Sequence, residues 1–298
     1  MFQPKLIVTD LDGSALRDDK TLSQNTINAF AKCHQTGIPI AIATARYIAG
    51  AKPFADALHA DFQILTDGTL IYQNNELIYS NTMNLETTNA ILQELYRQGH
   101  TSHIAIPTAY GLFRYPEGEN VLSSLQQSVN AEKINSDTTP ATNANPLSTA
   151  RINNSEIAFQ RNEKGNTIGF HFDITKPFPY PANKMVVEIH NEATAAQIAE
   201  KCGCAQFRYR GEDRYTFFHP TASKLNAIRF ITEKLGITLD DVLVFGDDIN
   251  DIEMITHCGW GVAMGNAIDE VKAVADEVTD SNEADGIAKV LENLHHFL

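Results

Sequence analysis

A chain of 298 residues, 43% hydrophobic and 20% charged, is long enough for one large domain or two ordinary ones around a real hydrophobic core. Its net charge of −14, with no local basic patch, argues against nucleic acid as a partner. No run of about 18 apolar residues suits a membrane span, and the opening "MFQPKLIV" lacks a charged segment followed by a long apolar one, so the sequence reads as cytoplasmic with no cleaved signal.

In chain order, "KLIVTD" (5–10) is a short buried strand ended by a turn signal. The stretch 23–37 reads as a helix with Ser23 as N-cap and Gly37 as its stop. A second strand, "IPIAIAT" (38–44), precedes a helix over 47–59 that is broken or entered near Pro53, and "FQILTDG" (62–68) is a third strand. Alternation of this kind predicts a doubly wound parallel sheet with helices on both faces.

From residue 84 the pattern changes. A helix over 85–99, strand-like pieces at 103–108 and 110–116, and a polar Asn-, Thr-, Ser- and Pro-containing stretch over 130–154 follow one another. Then come a strand at 184–190, a helix over 192–203 and strands at 205–211 and 214–220. Strands clustered with few helices predict a separate α+β module. The α/β alternation returns with a helix over 223–236, strand 241–247, helix 250–258, strand 260–264, helix 267–275, a short strand at 276–280 and a terminal helix. The expected organisation is thus a core of residues 1–83 and 215–298 interrupted by an inserted module over 84–214. No repeat of fixed period is present. Of the four cysteines, Cys202 and Cys204 form a C-x-C pair with no partner pair completing a zinc pattern, and all four read as reduced thiols.

The chemistry gathers where core strands stop in polar residues. The first strand delivers Asp10 and Asp12, which share a face if strand geometry persists. Two anions so close repel unless a cation lies between them or one holds a proton. The second strand ends in Thr44-Ala45-Arg46, a later helix starts at Lys224, and "GDDIND" carries Asp247, Asp248, Asn250 and Asp251. In open parallel sheets the ligand crevice lies outside the carboxyl ends of the strands, so these groups should converge. Taken singly, Asp-Gly is a common turn, "TAR" an ordinary helix start, and a helical lysine usually solvated. The acids of "GDDIND" are harder to dismiss, because they destabilise one another unless a hard divalent cation, Mg2+ above all, neutralises them.

"DLDGSAL", "TAR", the lysine before a core helix and "GDDIND" together resemble the four ordered motifs of the haloacid dehalogenase (HAD) superfamily of phosphatases. The segment "VAMGNAIDEVKAVADEVTDSNEADGIAKVLE" is similar to the C-terminal end of the Cof-type subfamily, which carries a large α/β cap, type IIB, between its second and third motifs. The resemblance covers 4–83 and 215–298. Ser14 stands where Thr is common, Ala45 where Gly is common, Asp67-Gly68 where Asn-Gly is usual, and Leu225 where Gly is frequent.

The resemblance implies a Mg2+-dependent phosphatase acting on a small phosphorylated metabolite, such as a sugar phosphate or pyridoxal phosphate, through an aspartyl-phosphate. Asp10 is then the nucleophile, and Asp12 the general acid and base, protonated because its neighbour is anionic. Asp10, the Asp12 backbone carbonyl and Asp247 hold Mg2+. Thr44 (hydroxyl and backbone N–H), Lys224 and Asn250 grip the phosphoryl oxygens, beside Ala45 and Arg46. Asp248 and Asp251 orient the metal's waters and Lys224, while Arg46 binds substrate or braces the cap. Neither a nucleic acid nor a membrane is expected as partner, and the chain is expected as a monomer or homodimer. The alternatives are a sugar phosphomutase, which needs an arginine cluster such as Arg208, Arg210 and Arg214 for a second phosphate, and a catalytically idle metabolite sensor.

Overall fold

The computed structural model describes residues 2–100, 103–109, 111–115, 158–161, 167–209 and 211–295. They form two compact units, Met1–Asn81 with Thr221–Leu298, and Thr82–Pro220. The polar stretch 130–154 and Arg210 lie outside the described residues.

The first unit opens with β1 (Leu6–Thr9), α1 (Gln24–Gln35), β2 (Ile40–Ala43), α2 (Ile48–Ala57) and β3 (Phe62–Leu65), followed by the hairpin β4 (Leu70–Gln73) and β5 (Glu76–Ser80). Every residue of β1, β2 and β3 is buried, which is why these segments are continuous apolar runs rather than alternating ones. The Ser23 hydroxyl accepts from the Thr26 N–H to cap α1, and Pro53 sits inside α2 instead of at its entrance.

The second unit contributes α3 (Leu85–Gln98), β6 (Ile104–Thr108), β7 (Gly111–Tyr115), β8 (Ala158–Arg161), β9 (Thr167–His171), β10 (Lys184–Glu188), α4 (Glu192–Cys202), β11 (Ala205–Arg208) and β12 (Arg214–Phe218). Its sheet runs β11-β12-β10-β6-β7-β9-β8, antiparallel except for the β7–β9 pair. α3 and α4 pack together, and the Lys201 ammonium donates to the buried Glu94 carboxylate at 2.6 Å. Residues 215–220, expected in the core, belong to this unit instead. The reason is pairing: β12 lies hydrogen-bonded between β10 and β11 along its whole length.

The chain then returns to the first unit with α5 (Lys224–Leu235), β13 (Val242–Gly246), α6 (Ile252–His257), β14 (Trp260–Ala263), α7 (Asp269–Val274), β15 (Glu277–Val278) and α8 (Gly286–His295). The sheet order is β15-β14-β13-β1-β2-β3-β4-β5. Its first six strands are parallel. β4 and β5 extend it as an antiparallel hairpin that the sequence pattern does not announce. α1 packs on α8, while α5, α6 and α7 pack in succession.

From β1 the chain moves outward to β2 on one side, and β13 occupies the other. The strand order therefore reverses between β1 and β13, where a crevice opens beyond the carboxyl ends. Thr9 is in register with Phe245, so Asp10 and Asp247 leave the sheet side by side.

Phe245 is fully buried in the cluster that holds this pair of strands. Phe245→Ala is expected to lower the unfolding free energy by about 3–5 kcal/mol at an unchanged denaturant m value. Urea titration followed by circular dichroism reads both quantities, and a loss below about 1 kcal/mol would contradict this packing.

Candidate active site

The Asp10, Asp247 and Asp251 carboxylates are all buried, and an oxygen from each lies within 4.8 Å of the others. Lys224, 1% exposed at the first turn of α5, donates to Asp10 Oδ1 and to Asp251 Oδ1, both at 2.7 Å. Asp251 Oδ2 accepts from the backbone N–H groups of Asp247 (3.0 Å) and Asp248 (3.2 Å). The Asp251 carboxylate is therefore bound by this chain's own donors through both oxygens. Asp247 accepts one bond at Oδ1, from the Ser14 hydroxyl at 3.0 Å.

Backbone without side chains makes room for this packing. A Cβ on Gly246 would come within 2.5 Å of the Asp251 Cβ, and one on Gly13 within 2.2 Å of Asp247 Oδ2. Gly13 also has φ +83°, the left-handed region that glycine enters without steric cost. A Cβ on Gly68 would lie 2.1 Å from the Ser223 carbonyl, so the turn after β3 rests directly on the chain entering α5.

The electrostatics follow from burial. Burial raises the Asp10 carboxyl well above the ordinary range; Lys224 opposes this, and Asp251 and Asp247 add to it. Burial and then Asp251 push Asp247 up to about 7, against the Ser14 hydrogen bond and Lys224. Burial alone would lower Lys224, but Asp10, Asp251 and Asp67 hold it above the ordinary lysine value. Three carboxylates against one ammonium leave an excess of negative charge that one divalent cation would neutralise, and oxygen-only donors suit a hard one.

Asp12 does not join this cluster. Arg46 grips it with both arms, Nε to Oδ2 at 2.6 Å and Nη2 to Oδ1 at 2.7 Å, and the Lys20 ammonium lies 3.0 Å from Oδ1. Arg46 is itself braced by the Gly50 carbonyl (3.0 Å) and by the Phe54 ring, 5.0 Å from its centre. The expectation that an anionic neighbour keeps Asp12 protonated is thus corrected. Burial alone would raise its pKa, but the hydrogen bonds from Arg46 and Lys20 outweigh burial and hold the carboxyl below the ordinary range. Arg46 braces Asp12.

Thr44 is buried at the end of β2, and its hydroxyl accepts from the Arg46 N–H at 3.2 Å. Its own N–H, expected to grip a phosphoryl oxygen, donates instead to the Ile64 carbonyl at 2.9 Å, because β2 and β3 are paired up to this point. Ala45 lies in the half-buried bend that follows. The Asn250 side-chain amide donates to Asp67 Oδ1 at 2.9 Å, and the Asp67 N–H donates to the Thr44 carbonyl at 3.1 Å. Asp248 caps the single turn 249–251 through the Ile249 N–H at 2.8 Å, so its contact is with backbone. Lys20 has no sequence signal, being one lysine in a polar loop. Ser14 and Asp67 are visible only as departures from the family pattern.

Of the arginines raised for a second phosphate, the two described, Arg208 and Arg214, do not cluster. Arg208 pairs in register with Tyr215, and Arg214 pairs with Tyr209, so they point to opposite faces of their hairpin. Each is also engaged by an acid, Arg208 by Asp213 and Arg214 by Glu212.

Comparison with known proteins agrees with this architecture. A family model for haloacid dehalogenase-like hydrolases matches residues 7–291. The chain belongs to that family, and several of its relatives are named phosphatases. It is 26% identical over 298 residues to a 5-amino-6-(5-phospho-D-ribitylamino)uracil phosphatase of Bacillus subtilis, covering 97% of this chain and 95% of that protein. It is 26% identical over 290 residues to a pyridoxal phosphate phosphatase of Escherichia coli, covering 96% and 97% respectively. Among solved structures, a HAD subclass IIB sugar phosphatase shares the fold with a TM-score of 0.72 at 21% identity, over 97% of this chain and 98% of that one.

The raised carboxyls set a pH dependence for the metal-free protein. Between the ordinary carboxylate value of 3.8 and about 7, folded Asp247 binds a proton that the unfolded chain does not hold, so stability falls as pH rises through that window. In chelator, the melting temperature is expected to be lower at pH 7.5 than at pH 5.5, and Asp247→Asn to reduce that difference. Scanning calorimetry checks both. A wild-type protein that melts higher at pH 7.5 would contradict the stated charge balance.

Proposed function

We propose that this protein is a Mg2+-dependent phosphatase of small phosphorylated metabolites, working through a phosphorylated Asp10. The observation that carries the reading is the buried group Asp10–Asp247–Asp251 with Lys224 bridging two of its members. The Asp10 and Asp247 carboxylates and the Asp12 backbone carbonyl would hold the ion. When bound, Mg2+ screens the Asp10 carboxylate from an incoming phosphoryl anion.

The chain's own residues divide the remaining work. Asp10 attacks phosphorus and becomes the aspartyl-phosphate. Lys224 gives two ammonium hydrogens to carboxylates, which leaves one for a phosphoryl oxygen. Asn250 gives one amide hydrogen to Asp67 and has the other to offer. The Thr44 hydroxyl accepts from the Arg46 N–H and can donate its own proton. These donors aim at charge that accumulates on the transferring group. Asp251 fixes Lys224, and Asp248 fixes the turn carrying Asn250. Asp12 donates a proton to the leaving alkoxide and then accepts one from the water that cleaves the acyl-phosphate. Its pairing with Arg46 and Lys20 favours the carboxylate form required by the second half, so the first half needs Asp12 to take up a proton as the phosphoryl anion arrives.

We assign residues 82–220 as the module that selects the substrate. The similarity to phosphatases of pyridoxal phosphate and of a phosphoribitylamino-uracil supports a small phosphometabolite as the substrate class.

Phosphate release from sugar phosphates, pyridoxal phosphate, flavin mononucleotide and nucleotides is the test, run with Mg2+ and with chelator. Release from at least one sugar phosphate or pyridoxal phosphate is expected, lost in chelator and reduced at least about 10³-fold in Asp10→Asn. Release that survives either change would refute the mechanism, and no release from a folded protein would refute the function.

A further inference from the structure

Asp12 is held from two sides by groups of different origin. Arg46 reaches it from the segment after β2. Lys20 reaches it from a loop that the chain forms immediately after Asp12 itself. The loop closes on β1 through N–H groups of Ala15 and Leu16 donating to the carbonyls of Asp10 and Leu11, at 3.3 and 2.8 Å. It then makes a tight turn, in which Arg17 N–H donates to Thr21 O and Lys20 N–H to Arg17 O, both at 2.9 Å. Lys20 sits there at φ +64°, a left-handed conformation that costs free energy for a residue with a Cβ.

An exposed lysine in a loop is ordinarily solvated, and its ion pairs contribute little to stability. Here the loop is anchored from behind. The buried Asn282 donates to the Leu16 carbonyl at 3.0 Å and to Asp18 Oδ1 at 3.1 Å. Its own N–H donates to Asn266 Oδ1 at 3.0 Å, and the Asn266 amide donates to the Gly13 carbonyl at 2.7 Å. Glu283 adds a bond from the Asp18 N–H at 2.7 Å. The C-terminal segment thus holds the loop at both ends, and a backbone so fixed presents Lys20 to Asp12.

The consequence is geometric. Asp12 Oδ1 lies against two cations, Arg46 Nη2 and Lys20 Nζ, whereas among the described residues Oδ2 accepts from Arg46 Nε alone. We propose that Lys20 is a positioning residue which, with Arg46 and with its loop anchored by Asn282, orients the Asp12 carboxylate for proton transfer. This rests on the phosphatase reading. The carboxylate first takes a proton from solvent and gives it to the leaving-group oxygen as that oxygen's bond to phosphorus breaks. It then regains a proton from the water that attacks phosphorus and releases Asp10.

The test separates positioning from structure by choice of leaving group. An alkyl phosphate needs its leaving oxygen protonated, whereas p-nitrophenyl phosphate, with an acidic phenol, scarcely does. Lys20→Met is expected to lower kcat/KM for glycerol 2-phosphate about five- to tenfold, and for p-nitrophenyl phosphate less than about twofold, at an unchanged melting temperature. Lys20→Arg is expected to restore most of the loss. Asn282→Ala is expected to lower the alkyl rate in the wild-type background and to add little in the Lys20→Met background. Equal losses on both substrates, a gain in rate, no rescue by arginine, or additive losses in the double variant would each overturn the proposal. Crystals of wild type and Lys20→Met report without turnover: Asp12 in one rotamer in the first and in two in the second supports the proposal, and one shared rotamer overturns it. Wild-type protein inert towards every phosphate ester would fail the phosphatase reading instead.

Discussion

A lysine ammonium enclosed among carboxylates is the constraint on which the rest of this molecule turns. Lys224 is 1% exposed and bonds Asp10 and Asp251 at once. Burying that charge would be prohibitive without both partners, and burying the partners would be prohibitive without it. Even so the balance does not close, since Asp247 adds a third carboxylate with no cation of its own among the described residues. All three pKa values rise, which disfavours the charged forms of Asp10 and Asp247 but favours the charged form of Lys224. A divalent cation would relieve the first pair and leave the ammonium in place. On the proposed function, binding such an ion and holding a phosphoryl anion beside it would be two uses of one electrostatic arrangement.

That arrangement dictates local chemistry far from the charges themselves. Gly13, Gly68 and Gly246 are required by close approach, respectively to Asp247, to the Ser223 carbonyl and to Asp251. The Asp251 carboxylate also holds the backbone of Asp247 and Asp248, so the turn after β13 is folded around the group that anchors Lys224. The strand order contributes the remaining step. Because it reverses between β1 and β13, two chain segments more than two hundred residues apart leave the sheet side by side. Asp10 and Asp247 need no loop to bring them together.

Much of this was legible in the residues. Continuous apolar runs such as "LIVT", "IAIA" and "VLVF" announce buried parallel strands, and acids at their ends announce the crevice. What stayed hidden depended on pairing and on side-chain direction. The β4–β5 hairpin lies at a sheet edge, where weak patterning is enough. β12 falls in the second unit because of its strand partners, which no local pattern encodes. Alternation placed Asp10 and Asp12 on one face, but the chain leaves strand geometry after Thr9, and Asp12 turns to Arg46 and Lys20. Counting an anionic neighbour therefore gave the wrong sign for its pKa. The N–H of Thr44 was assigned to a ligand without asking whether β3 already used it.

The central claim is that Asp10 carries the phosphoryl group. It is tested most directly by mixing the protein with Mg2+ and a 32P-labelled substrate, quenching in acid within one turnover, and reducing with borohydride. The account predicts acid-stable label on the chain and conversion of Asp10, among all carboxylates, to homoserine. Label on another residue, or turnover with no labelled protein at any quench time, would contradict it.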